Sequence, residues 1–274
     1  MEIGCESGSP ALRCRERRLE AVKIDINCDM GEGFGAYKIG EDEKMIRYVT
    51  SANIACGFHA GDPMVMARTL QLAKSHRVAV GDHPGYPDLI GFGRRALETS
   101  PGEIKNYVLY QIGAIAALAR ASGLELQHVK PHGALYNNAA ENERAAVEII
   151  EAVKSFDPEL VLFVLAGSMI VEMARAAGLR VVQEAFADRA YTRDGQLAPR
   201  KLPGAVIHDQ RKVRERVLKL VKTGIMVSIE GDDISLNVDT LCVHGDTPGA
   251  WELAKNIREA LDGAGIRVAA VGRK

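Results

Sequence analysis

The stretch that decides the fold is SANIACGFHAGDPMVMARTLQLAKSHRVAVGDH, residues 51–83. It begins with a short apolar run at 51–56, passes through Asp62-Pro63 into residues with helical spacing, and returns to an apolar run at 77–82. Asp before a first-turn Pro marks a helix start, because its carboxylate accepts backbone N–H groups that have no partner within the helix. The stretch therefore predicts a strand–helix–strand unit with parallel strands.

The same alternation of apolar runs and helical stretches continues along the chain. Further strands are predicted at 22–28, 126–131, 160–166, 179–185, 240–245 and 266–271. Helices are predicted to start at Ser100-Pro101, where Glu103 is placed for a capping box, and at Thr247-Pro248. Seven or eight such strands favour an α/β fold, a distorted TIM-like (β/α) barrel of about seven strands, with an open doubly wound sheet as the alternative.

One segment departs from this pattern. Residues 226–238 alternate with period two around Gly231-Asp232-Asp233, which predicts a small β-hairpin inserted before the strand at 240–245. No change of composition divides the rest, so we predict a single barrel domain over residues 22–274. Residues 1–21 are too charged for a signal peptide and are predicted to be a disordered extension, whose presence in the natural protein is left open.

Composition narrows the class of protein. The chain has 274 residues, 47% of them hydrophobic, and a formal net charge of −1, so it lacks the basic excess that binding to nucleic acid requires. No apolar run reaches the roughly 18 residues of a membrane span. The five cysteines form no C-x-x-C pair, which favours reduced thiols, no disulfide and a cytoplasmic location.

Polar and titratable side chains gather where the predicted strands end. They are Asp25, Asn27, Asp29, Glu32, Asn53, His59, Asp62, Asp82, His83, Lys130, His132, Glu184, Asp188, Arg189, His244 and Asp246. Because the strand ends of a parallel barrel open on one face, these groups are predicted to converge in one pocket. Arg94 and Arg95 follow a glycine-rich loop and suit a ligand carboxylate or phosphate, unless they are only a solvated helix start.

Several of these residues also have structural interpretations. Any single strand-end histidine is more often a hydrogen-bonded structural group, and packing is the favoured role for Cys28, Cys56 and Cys242. His76, His128 and His208 lie off the pattern and are predicted to have no functional role. The P-loop, G-x-G-x-x-G, G-x-S-x-G and H-E-x-x-H signatures are missing, and Cys56-x-x-His59 alone is weak support for structural zinc.

Six motifs occur in an order that resembles one known family. They are INCDMGEGFG (26–35), SANIACGFHAGDP (51–63), HPGYPDLIGFGRR (83–95), VKPHGALYN (129–137), EAFADRAY (184–191) and VDTLCVHGDTPGA (238–250). From about Val22 to the C-terminus the chain is similar to the LamB/YcsF family. The resemblance implies a barrel related to the glycoside hydrolase and deacetylase superfamily. It also implies service as the A component of a three-part 5-oxoprolinase that works with B and C components, opening 5-oxo-L-proline to L-glutamate at the expense of ATP.

The resemblance also suggests roles for individual residues. Base and orienting roles fall to Asp25, Asp29, His59, Asp62 and His132. Substrate or phosphate binding falls to Asn27, Glu32, Asn53, His83, Arg94, Lys130, Asp188, Arg189, His244 and Asp246. ATP is the implied cofactor and Mg²⁺ is expected with it, whereas a tightly bound metal among His59, His83 and His132 stays an open question. Asp82 and Pro199 depart from the family pattern, the first replacing a small residue and the second a serine.

Two other functions fit the same residues. A metal-dependent deacetylase or amidohydrolase acting alone would use the Asp and His cluster without ATP. A non-catalytic component would only bind the substrate for its partners, and turnover of the complex would survive loss of His59 and His132.

Overall fold

All eight strands of the repeating pattern are present in the computed structural model, which describes residues 22–245 and 249–272. The strands are β1 (Lys23–Met30), β2 (Ser51–Ala55), β3 (Ala79–His83), β4 (Leu126–Val129), β5 (Val161–Leu165), β6 (Arg180–Phe186), β7 (Ile225–Val227), β8 (Asp233–Ser235), β9 (Thr240–Cys242) and β10 (Arg267–Val268). The helices are α1 (Asp42–Met45), α2 (Pro63–His76), α3 (Glu103–Ala121), α4 (Gly133–Glu141), α5 (Glu143–Phe156), α6 (Met169–Ala176), α7 (Gln210–Thr223) and α8 (Ala250–Gly263).

Seven parallel strands close into a barrel. Their order is β1-β2-β3-β4-β5-β6-β9, and β9 pairs with β6 on one side and with β1 on the other. The prediction of a barrel is therefore confirmed, and the open-sheet alternative is wrong because the closing pair leaves the barrel without a free edge. β10 adds a short parallel pairing to the start of β1, while β7 and β8 form the predicted antiparallel hairpin outside the barrel.

The helix starts follow the sequence signals with one shift. The Asp62 carboxylate accepts hydrogen bonds from the backbone N–H groups of Met64 and Val65, and Pro63 is the first helical residue of α2. Helix α3 begins later than predicted, since Gly102 in the left-handed region ends the preceding turn. The Glu103 carboxylate still accepts from the backbone N–H of Ser100. The predicted start at 247–248 lies outside the described residues.

The inside of the barrel is largely polar. Alternate residues of β1 point inward, and the lowest of them, Asp25, accepts hydrogen bonds from the hydroxyls of Thr50, Ser51 and Thr240. One layer higher, His128 stacks on Phe163 with 4.2 Å between ring centroids. The His128 role expected from sequence, packing without function, agrees with this position. The main apolar core lies between the strands and the surrounding helices.

The described cysteines and helices add two facts. Cys28, Cys56 and Cys242 are free and buried, whereas Cys5 and Cys14 fall among the residues that are not described. Among the described helices, none has both the length and the apolarity needed to cross a bilayer.

Asp82 gives a prediction about pH and stability. It is fully buried, its Oδ1 accepts from the Cys56 thiol at 2.9 Å, and burial raises the pKa of Asp82 to about 8. Native Asp82 therefore keeps a proton that the unfolded chain releases near its ordinary pKa of about 4, so this group costs stability as pH rises between those values. Relative to wild type, Asp82→Asn should gain roughly 1 kcal/mol of unfolding free energy per pH unit between pH 5 and pH 7.

Urea denaturation of both proteins at several pH values measures this difference. The comparison cancels the other carboxylates, which titrate in both chains. A difference that stays constant across the range would show that Asp82 is ionised in the native state.

Candidate active site

A cavity of about 360 Å³ lies at the ends of the barrel strands and in the loops that follow them. Its lining includes Asp29 from β1, His83 from β3, Phe186 from β6 and, after β4, Lys130 and His132. Cavities of this size suit small ligands. The sequence prediction that strand ends converge on one pocket is thus met by the groups that can be described.

Lys130 stands at the base of this cavity. Its ammonium Nζ is 2.9 Å from Asp29 Oδ1, 3.0 Å from Glu184 Oε1 and 3.1 Å from Cys242 Sγ, and the side chain is almost fully buried. Burial alone would lower the pKa of Lys130, but the carboxylates of Asp29 and Glu184 outweigh it and raise the pKa well above its ordinary value. The cavity therefore has a permanent, fixed positive charge at its base.

Asp29 is the carboxylate partner of that charge. Besides Lys130, its Oδ1 accepts from Asn53 Nδ2 at 2.8 Å and lies 3.3 Å from His83 Nε2. Burial would raise the pKa of Asp29, but His83 and Lys130 together hold it well below its usual range. Asp29 is consequently ionised at any working pH and has little tendency to take up a proton.

Three imidazoles and one carboxylate form a cluster on the wall of the cavity. The rings of His59 and His132 stack with 3.7 Å between centroids, and His132 Nδ1 is 2.9 Å from His83 Nε2. Glu32 Oε1 lies 3.5 Å from His59 Nε2 and 3.6 Å from His132 Nδ1. Burial, followed by the neighbouring imidazoles, lowers the pKa of His59 and of His132 well below the ordinary value. Both rings are neutral at pH 7.

Guanidinium groups occupy another part of the cavity wall. Arg189 is buried and donates to the backbone carbonyl of Ala198 at 2.6 Å, and burial lowers its pKa to about 10. Arg200 donates to His244 Nε2 at 3.0 Å, and His244 Nδ1 lies 3.2 Å from Asp188 Oδ1. Asp188 thus orients His244, which orients Arg200. With Arg94, whose guanidinium lies over the Phe92 ring, these groups suit an anionic ligand.

The structure separates two predicted catalytic carboxylates from this cavity. Asp25 is four residues before Asp29 on β1, about 13 Å by the rise of a strand, and its hydroxyl partners enclose it in the barrel interior. Asp62 caps α2 and also accepts from the backbone N–H of Gly35. Neither lines the cavity, and their catalytic roles stay predictions that this geometry does not support.

The other predicted residues have varied positions. Asn27 and Asn53 lie below Lys130 and Asp29, where they complete the buried network. His59 is fully buried behind the cavity wall, and Asp188 acts on the cavity through His244. Asp246 falls in the gap at 246–248 and cannot be placed.

Three residues of the site received no role from the sequence. Glu184 ends β6 and contacts Lys130, so its position at a strand end was an available signal. Tyr136 lies on α4 and lines the cavity, where burial, with Glu184 nearby, raises its pKa well above the ordinary value. Arg200 comes from the irregular loop after β6, which has no periodic pattern that would reveal its direction.

Comparison with known proteins gives consistent matches. The model of the LamB/YcsF family matches residues 24–274. A protein of Syntrophobacter fumaroxidans, named as the A component of 5-oxoprolinase, is 66% identical over 92% of this chain and 99% of its own length. A protein of the same name from Pyrococcus furiosus is 55% identical over 92% of this chain and 98% of its own length.

Solved structures agree with the barrel. The crystal structure of a lactam utilization protein from Thermus thermophilus is 51% identical, with a TM-score of 0.87 over 90% of this chain and 99% of that chain. A putative cellobiose-phosphate cleavage protein from Enterococcus faecalis V583 is only 14% identical, with a TM-score of 0.54 over 91% of this chain and 97% of that one, and it supports the fold alone.

Proposed function

Because the chain belongs to the LamB/YcsF family, we propose that it is the A component of a 5-oxoprolinase, opening the lactam ring of 5-oxo-L-proline to give L-glutamate. In this proposal the reaction is coupled to hydrolysis of ATP, with Mg²⁺ bound to the nucleotide, and requires the partner components B and C as subunits of one complex. The observation that carries it is the cavity, which combines a fixed buried ammonium with a cluster of guanidinium groups.

The substrate has two features that this cavity can recognise. Its carboxylate would bind to guanidinium groups, for which Arg200 and Arg189 are available, because a planar guanidinium can donate two parallel hydrogen bonds to a carboxylate. Its lactam oxygen would lie toward Lys130, whose positive charge stabilises negative charge that develops on that oxygen. The two contacts together would orient the five-membered ring.

Coupling to ATP has a chemical reason. A five-membered lactam is a stabilised amide, and transfer of a phosphoryl group to its oxygen makes the carbonyl carbon a better electrophile. Water then attacks that carbon, the ring C–N bond breaks, and the nitrogen takes up a proton. The neutral His132 and the carboxylate of Glu32 flank the cavity where this water would be oriented, while Asp29 holds Lys130 in place.

Activity of the assembled complex tests the proposal. Glutamate release and ADP formation are measured from 5-oxo-L-proline, ATP and Mg²⁺, first with this chain alone and then with components B and C. We expect turnover only in the mixture, with one ADP per glutamate. A correctly assembled mixture that releases no glutamate would contradict the proposal.

A second function is favoured by one observation, the cluster of three histidines and Glu32. A metal-dependent amidohydrolase acting alone would hydrolyse its substrate without ATP and would stop when a chelator removes the metal. The same assay separates the two functions, since it includes reactions without ATP. If His59→Ala and His132→Ala left both 5-oxoproline binding and turnover of the complex unchanged, the chain would instead serve only to bind the substrate.

Arg200 gives a prediction about substrate affinity. Arg200→Gln removes one charged donor to the substrate carboxylate, a contact worth about 1.5–3 kcal/mol. We expect the KM for 5-oxoproline to rise about 10- to 100-fold while kcat changes by only a few-fold. Arg211→Gln, an exposed arginine of α7, is the matched control. A fall in kcat with an unchanged KM would place Arg200 at the reacting atoms instead.

A further inference from the structure

We infer that Glu32, His59, His83 and His132 form a binding site for one divalent transition-metal ion of the Zn²⁺ class. Each residue offers one ligand atom, these atoms all lie within 4.8 Å of one another, and all four residues are buried. They come from four successive parts of the barrel, the loops after β1 and β2, the end of β3, and the residue before α4. The closed barrel brings these distant parts of the sequence together.

Hydrogen bonds fix which nitrogen of two of the imidazoles carries a proton. His83 Nδ1 is 2.7 Å from the backbone carbonyl of Lys130, and His132 Nε2 is 2.9 Å from the backbone carbonyl of Phe92. A carbonyl oxygen only accepts, so both of these nitrogens must be N–H donors. His83 Nε2 and His132 Nδ1 are then left with lone pairs.

Those two lone pairs face each other. His83 Nε2 and His132 Nδ1 are 2.9 Å apart, a separation at which two acceptors repel unless a cation lies between or beside them. A metal ion would relieve this repulsion and use both lone pairs as ligands. Metal-binding histidines usually donate their other N–H to a carbonyl or carboxylate, and both of these rings already do so.

His59 supplies the second observation. Its side chain is completely buried, and across residues 22–245 and 249–272 neither of its ring nitrogens has a hydrogen-bond partner. Burying a polar group without such a partner costs on the order of 1–3 kcal/mol. Its Nε2 lies 3.5 Å from Glu32 Oε1, so the ring edge is directed into the cluster. Binding of a metal would satisfy this nitrogen.

The distances and donor types agree with this class of ion. Zn²⁺ binds imidazole nitrogen and carboxylate oxygen at about 2.0–2.2 Å, which puts neighbouring ligand atoms of a tetrahedral site about 3.4 Å apart. The observed separations of 2.9, 3.5 and 3.6 Å lie around that value. Three imidazoles favour zinc and its neighbours over Mg²⁺ or Ca²⁺, which prefer sites made of oxygen alone.

The site adjoins the cavity but does not depend on the proposed reaction. Glu32, His83 and His132 line the cavity, so a bound ion would lie beside the substrate proposed above and could act there as a Lewis acid. Metal content is measured without substrate, ATP or partner proteins. Absence of metal would therefore overturn this inference and leave the 5-oxoprolinase proposal standing, and the reverse also holds.

The test uses the full chain and a direct count of metal. Purified protein is dialysed against a chelator, incubated with ZnCl₂ or CoCl₂, passed through a desalting column, and analysed for metal by mass spectrometry. We expect about one Zn²⁺ per chain, and visible d–d absorption of Co²⁺ that Zn²⁺ abolishes. Less than a tenth of an equivalent on folded protein would mean that a shared proton, not a metal, separates His83 from His132.

Variants locate the bound ion. Glu32→Gln keeps the shape of the side chain and His132→Asn removes one ring; each should weaken Zn²⁺ binding at least about 100-fold, the upper effect of changing residues that only support ligands. His76→Asn on the exposed end of α2 is the control, and circular dichroism verifies folding of every variant. Equal binding of Zn²⁺ by the control and by both variants would place the ion elsewhere and overturn the inference.

Discussion

Lys130→Met is expected to abolish turnover of the assembled complex and to lower the free energy of unfolding by about 3–5 kcal/mol. Methionine preserves the length of the side chain but leaves the carboxylates of Asp29 and Glu184 buried without their ammonium partner. Removing one member of a buried ion pair costs far more than the pair itself contributes, because the remaining charge loses both its partner and water. Loss of turnover follows because no other ammonium stands at the base of the described cavity.

Chemical denaturation and the glutamate assay measure the two effects separately. The double variant Lys130→Met/Asp29→Asn should regain part of the lost stability, since one of the two unpaired charges is gone, but none of the activity. Lys255→Met on the surface of α8 serves as the control and should change neither quantity. Retention of full activity by a folded Lys130→Met protein would exclude Lys130 from the chemistry.

Gly93→Ala is expected to have the second largest effect. Gly93 adopts φ +61°, and a Cβ at this position would lie 2.7 Å from His59 Cβ and 2.8 Å from His132 Cδ2. The left-handed backbone costs a residue with a side chain about 1–2 kcal/mol, and forcing atoms into a packed region costs a further 1–3 kcal/mol. We therefore expect a loss of about 2–5 kcal/mol of unfolding free energy, together with loss of turnover.

A second glycine gives a matched control for this substitution. Gly113 lies within α3, does not adopt a positive φ, and has open space within 4 Å of the point where an added methyl group would lie. Gly113→Ala should stabilise the chain by roughly 0.5–1 kcal/mol, because alanine is the better helix former. Thermal and urea unfolding of both variants compare the two sites. A Gly93→Ala protein as stable and active as wild type would show that the two stacked rings can move apart freely.

Much of the fold was predictable because buried parallel strands have a simple sequence signature. Apolar runs bounded by helix caps placed all eight strands within a few residues, and the capping Asp62 placed the start of α2. Barrel closure required the pairing of β9 with β1, a contact between residues about 215 positions apart. Sequence patterns do not report such a distant pairing, although the number of strands favoured it.

The site was harder to predict because depth along a strand is not visible in a sequence. Period two places Asp25 and Asp29 on the same face of β1, but only the finished barrel shows that one is enclosed by hydroxyls and the other opens to the cavity. Asp62 had two compatible roles, helix cap and catalyst, and its hydrogen bonds support the first. Arg200 lies on an irregular loop whose course depends on contacts across the whole structure.

The position of β1 in the barrel has a consequence for how the chain is made. One side of β1 pairs with β2, which follows soon after it, but the other side pairs with β9 at residues 240–242. A ribosome releases the N-terminal part first, so one edge of β1, and the Asp25 carboxylate beside Thr240, stay without their partners until most of the polypeptide has emerged. An unpaired strand edge invites association with other chains. The nascent protein is therefore most exposed to aggregation during synthesis of its second half.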